Sequence, residues 1–125
     1  MVPSREQAMK LLNEYVKAEN TRRHCLASEA VMREVANHLG KDEVLWGITG
    51  LLHDLDVEVT HDDFQQHGPV TVKILQENGM DEQEAFNAIL RHNDVASGRP
   101  RQTTFDHALA ASETITGMIT ATTLV

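Results

Sequence analysis

Apolar residues recur along most of this chain at steps of three and four, the spacing of one face of an α-helix, and no segment alternates as a half-buried strand would. "SREQAMKLLNEYVKAEN" opens with Ser4 and Gln7 at capping-box spacing. "TRRHCLASEAVMREVANHLG" follows, with Thr21 as its expected N-cap and Gly40 as its stop. Asp42 is placed to cap the next helix, and Pro69 fits the first turn of one that ends at Asn78 and Gly79. Asp81 with Glu84 opens a helix through "EQEAFNAILRHND", and "TFDHALAASETITGMITAT" forms the last. "HDDFQQHGP" and "VASGRPRQT" are loops. The pattern predicts one all-α domain over residues 1–125, a bundle of about six helices.

One helix breaks the amphipathic rule. From Val44 to Leu52 every residue is apolar, glycine or threonine, which predicts burial on all sides. Gly47 and Gly50 share a strip with Asp54, so a neighbouring backbone can come close there. His53 and Asp54 then end a segment made for the interior, where an unpaired carboxylate is costly. A structural account exists: Asp54 caps a neighbouring helix and His53 bonds a backbone carbonyl.

Other residues of the same chemical type stand out. His24 lies in the first turn of its predicted helix, on one side with Ala27 and Val31. His92 shares a face with Ala85, Ala88 and Ile89, and His67 precedes Gly68 and Pro69 at a helix entrance. Glu113 is the only formal charge after Asp106. Each alone is readily structural. Together, imidazoles and carboxylates on separate helices suit one shared ligand, a divalent cation such as Mn, Fe, Co, Ni, Zn or Mg. His38, His61 and His107 read as surface or helix-end residues.

Charge narrows the partners. Eleven Lys+Arg against nineteen Asp+Glu give a formal charge of −8, which argues against a nucleic-acid polymer or an anionic membrane as partner. A small phosphorylated ligand held through a cation is compatible with it. Arg99 and Arg101 are the side chains nearest in type to a phosphate contact, although solvation is their simpler role. The lone Cys25 allows no internal disulfide and reads as a small buried residue. No signal-peptide pattern precedes the first helix, so the expected location is cytoplasmic. The uncharged "TITGMITATTLV" is too short and too rich in threonine to span a bilayer.

The ordered set "TRRHCLASEAVM", "GLLHDLDVE", "HGPVTVKILQENG", "ILRHND" and "ALAASETITGMITAT" resembles the HD-domain superfamily of metal-dependent phosphohydrolases, and within it the small HDIG-type members. The resemblance covers roughly residues 4 to 122. It implies an HD-type helical bundle with His24, His53 and Asp54 as metal ligands, and Asp54 also as the residue acting on the attacking water. The final ligand of the family is usually Asp; alignment on Thr116 and Gly117 puts Glu113 there, one methylene longer, with Asp106 as the alternative. Asp56 stands where the HDIG signature has glycine.

His67 and His92 match histidines that some HD subgroups use for a second ion, with Asp54 bridging, so one or two divalent ions per chain are implied. Relatives commonly continue beyond the last helix, which implies a chain short at its C-terminus. The activity implied is hydrolysis of a nucleotide or another small phosphate ester. Two other readings stay open: a non-catalytic HD-like signalling or assembly module, and an HD-fold di-iron oxygenase. The oligomeric state is not encoded in any of these features.

Overall fold

The computed structural model describes residues 2–60, 63, 65–92 and 100–124, with side chains described as far as Thr116. Among them the chain is all-α: α1 (Arg5–Tyr15), α2 (Glu19–Leu39), α3 (Glu43–Leu52), the single turn α4 (Val57–Thr60), α5 (Pro69–Glu77), α6 (Gln83–His92) and α7 (Thr104–Leu124). No described helix is long and apolar enough to cross a membrane.

Local signals set most of the helix ends. The Ser4 side chain accepts from Gln7 N, and the Gln7 side chain accepts from Ser4 N, closing the capping box of α1. Asp42 Oδ1 accepts from Val44 N and Leu45 N at the start of α3. Gly40 ends α2 at φ 67°, a left-handed conformation that a side chain would disfavour. Pro69 takes the first position of α5. The helix before the second loop begins at Gln83, with Glu84 in its first turn.

The start of α2 departs from expectation. The helix begins at Glu19, before Thr21, and its N-cap Ala18 has no side chain to offer. Glu58 of α4 supplies the acceptor instead: its Oε2 takes hydrogen bonds from Lys17 N at 2.8 Å and Ala18 N at 3.1 Å. His24 therefore sits in the second turn of α2, one turn deeper than the sequence implied.

The central helix is buried as its composition requires. Every residue from Leu45 to Leu52 is buried. α2 lies along α3 in the most extensive helix pair of the fold. A Cβ at Gly50 would stand 2.8 Å from Ser28 O, so glycine there permits the close approach of the α2 backbone. Trp46 stacks on Phe105 with ring centroids 4.7 Å apart, joining α3 to α7. Buried Glu29 receives the guanidinium of Arg5 through two bonds of 3.0 Å and that of Arg33 at 3.3 Å, tying α1 to α2. Cys25 is fully buried, and burial pushes its thiol up to about 12. This packing holds the end of α3 against α2, α6 and α7.

Candidate metal centre

Four imidazoles converge on two carboxylates at the end of α3. His24 comes from α2, His53 caps the C-terminus of α3, His67 stands in the turn before α5, and His92 ends α6. Asp54 follows His53, and Glu113 reaches in from α7. Oδ2 of Asp54 lies 3.3 Å from His24 Nε2 and 3.1 Å from His53 Nε2. Its Oδ1 lies 3.3 Å from His67 Nε2 and 3.5 Å from His92 Nε2. Oε1 of Glu113 is 3.7 Å from His24 Nε2 and 3.9 Å from His53 Nε2, while Oε2 is 4.0 Å from His92 Nε2. Each of these four histidines turns Nε2 inward.

The outward nitrogens explain why. Nδ1 of His53 bonds the carbonyl of Gly50 at 2.7 Å, and Nδ1 of His92 bonds that of Ile89. Each of these rings uses a carbonyl three residues back on its own helix. Nδ1 of His67 meets Asp56 Oδ1 at 2.6 Å, and Nδ1 of His24 meets Thr116 Oγ1 at 2.9 Å. Since the Thr116 hydroxyl donates to Glu113 O, its oxygen is left to accept from His24. Carbonyls and a carboxylate can only accept, so Nδ1 carries a proton whatever the charge of the ring, and Nε2 is the nitrogen left to bind a cation in place of its own proton.

Charge behaves accordingly when no cation is present. The Asp54 and then the Glu113 carboxylate raise His24 to about 9, against partial burial. Asp54 and Asp56 raise His67 to about 10. Burial opposes charge on His53, yet Asp54 and Glu113 outweigh it and hold that ring well above its ordinary value. Burial likewise opposes the ionised forms of Asp54 and Glu113, but the surrounding rings keep both carboxyls below the usual carboxylate range. The site attracts positive charge.

A divalent cation fits this set of donors. Two N or O ligands at roughly 2.0–2.2 Å from one ion are at most about 4.4 Å apart, and the separations above run from 3.1 to 4.0 Å. Two groups of ligand atoms lie within 4.8 Å of one another: those of His24, His53, Asp54 and Glu113, and separately those of Asp54, His67 and His92. His53 Nε2, His92 Nε2 and Asp54 Oδ1 are buried and make no hydrogen bond. Such orphaned atoms are expensive unless something binds them.

The HD domain family model matches residues 21–120. The chain belongs to the HD domain family. Neither the curated proteins nor the solved structures yield a match to it. HD domains are in general metal-dependent hydrolases of the phosphohydrolase superfamily and bind divalent metals. In this HD domain the six residues singled out from the sequence all meet at one place.

Asp106 does not join them. Its Oδ2 accepts from Arg91 Nη1 at 2.9 Å, Gln102 N at 2.9 Å and Thr103 N at 3.1 Å, while its own N–H bonds Thr103 Oγ1 at 3.0 Å. It closes a reciprocal capping box with Thr103 in the first turn of α7 and anchors Arg91, away from the imidazoles. His38 pairs with Glu34 on the surface and His107 is exposed. His61 and Arg99 lie outside the described residues, and Arg101 Nη2 reaches the carbonyl of His92 at 3.4 Å.

Sequence reasoning missed two supporting residues. Thr116 served there only to set an alignment, and Asp56 only as a departure from glycine. Neither role has a local signal, because the partner of each lies in a different element.

Proposed function

We propose that this HD domain hydrolyses a phosphate ester of a nucleotide or another small phosphorylated metabolite, using two divalent cations. It reads as a small HDIG-type member with Asp56 in place of the glycine. The observation that carries the reading is the division of Asp54: one oxygen faces His24 and His53, the other faces His67 and His92. A carboxylate so placed is built to be shared. His24, His53, Asp54 and Glu113 would hold the first ion, and Asp54, His67 and His92 the second.

When bound, such ions lower the pKa of coordinated water and neutralise charge on phosphoryl oxygens. The protein's own groups do the rest. Asp54, ionised at neutral pH, orients the attacking water or takes up its proton. His53 and His92 form the back of the site, with side chains 0% and 3% exposed. Glu113, His24 and His67 are 39%, 19% and 17% exposed and mark the side from which a substrate enters. The net charge of −8 favours a small ligand over a polyanion.

The test is phosphate release from a panel of nucleoside monophosphates and simple phosphate esters, with manganese, in air and under nitrogen. The expected result is release that ignores oxygen and is lost with EDTA or in His53→Ala. Oxygen-dependent turnover by iron-loaded protein would instead support oxidation chemistry. No release by protein that holds its cations would leave a non-catalytic module.

A further inference from the structure

His67 is the one imidazole of the four that lies in a turn rather than within or at the end of a helix. His53 and His92 are braced by carbonyls of their own helices, three residues back. A turn residue has no such built-in acceptor. Asp56, fully buried, supplies it. Its Oδ1 lies 2.6 Å from His67 Nδ1, and its Oδ2 accepts from Gly68 N at 2.7 Å and Thr71 N at 2.9 Å. The hydroxyl of Thr71 in turn accepts from Asp56 N at 3.1 Å. Gly68 adopts φ 108°, which lets the chain fold its N–H back onto the same carboxylate as the ring beside it.

We infer that Asp56 is the positioning residue that creates the second cation position, by fixing the ring of His67 with its Nε2 lone pair towards Asp54. The inference rests on the two-cation reading of the site and adds a residue to it. Two accepting oxygens are required, because one serves the ring N–H and the other two backbone N–H groups. Asn offers one acceptor and one donor in the same shape. If its oxygen faces the backbone, its amide group confronts Nδ1, which must then accept, and the ring proton moves to Nε2. If it turns over, the start of α5 loses its acceptor. A carboxylate behind a metal-binding imidazole is worth about 10–100-fold in affinity.

Manganese titration with dialysis and elemental analysis tests this in the wild type, Asp56→Asn and His67→Ala, beside thermal melting without metal. The wild type should hold two ions per chain. Asp56→Asn should hold one as tightly as before and the other about 10–100-fold more weakly, the same ion whose binding His67→Ala weakens at least as much. Two ions bound by Asp56→Asn with unchanged affinity would overturn the role of Asp56 and leave the two-cation centre standing. Fewer than two ions in the wild type would overturn both. Two ions without phosphate release would sink the hydrolase and leave Asp56 untouched. Should Asp56→Asn fail to fold, the zinc-loaded wild type decides: a long-range 1H–15N spectrum should show an exchange-protected proton on His67 Nδ1, and its absence would overturn the inference.

Discussion

Thr116 Oγ1 stands 2.9 Å from Nδ1 of His24, joining α7 to α2 across 92 positions of chain. The bond fixes the tautomer of the one ligand-type histidine on α2. Thr116→Val keeps the shape and removes the acceptor. Metal affinity at the first position should fall by about 10-fold or more, and the unpartnered ring N–H should cost about 1–3 kcal/mol. Calorimetric titration and urea unfolding read the two effects separately.

Gly47 and Gly50 lie one turn apart on α3 and should respond differently to alanine. At Gly50 the new Cβ would meet Ser28 O at 2.8 Å and Met32 Cγ at 2.9 Å, and the backbone oxygen cannot swing away. Gly50→Ala should cost about 1–3 kcal/mol by overpacking and weaken metal binding, since it pushes His24 away from His53. At Gly47 the clash is with the side chain of Arg33, 2.7 Å from Cγ, which can move. Gly47→Ala should cost less than Gly50→Ala, because a side chain yields more readily than backbone and about 0.5–1 kcal/mol of helix preference offsets the strain. Equal losses in urea unfolding would contradict this account of the α2–α3 contact.

Without metal, stability should depend on pH in both directions. His24 and His67 have raised pKa values, about 9 and about 10, so their contribution is full below about 6.5 and fades as pH rises through 9 to 10. Asp54 and Glu113 are lowered, so their contribution is present above about 4 and is lost in acid. The melting temperature in EDTA should therefore peak between about pH 4.5 and 6.5. Saturating metal should move that optimum upward, because the cation competes with protons for the same nitrogens. A melting temperature in EDTA that climbs from pH 7 to 10 would refute the electrostatic description.

Asp106 provides the contrasting variant. Asp106→Ala should lose the carboxylate half of the capping box of α7 and the partner of Arg91, at a cost of about 1–3 kcal/mol, while retaining metal at full stoichiometry. Its carboxyl lies below its ordinary value through the Gln102 and Thr103 N–H groups and Arg91, despite burial, so its contribution is present above about pH 4 and lost in acid. Loss of metal in a folded Asp106→Ala protein would reinstate it as a ligand.

The sequence by itself determined where most helices begin and end. Ser4 with Gln7, Asp42, Gly40 and Pro69 each act within about one turn of chain, a range over which backbone geometry alone fixes the outcome. It also determined that α3 is central, because a segment without a polar face has nowhere to go but inside. The residue types of the site were visible as well: imidazoles and carboxylates at odds with apolar surroundings, in the order of a known family.

Only the tertiary structure decided the rest. It chose Ala18 over Thr21 as the cap of α2, because Glu58 reaches it from 40 positions away. It brought Glu113, the residue that the alignment on Thr116 and Gly117 favoured, to the imidazoles and left the reserve Asp106 at the start of α7. It showed that Asp56 and Thr116 hold two of the rings. These outcomes depend on which helix lies against which, and that is settled by packing side chains distant along the chain, beyond the reach of any local pattern.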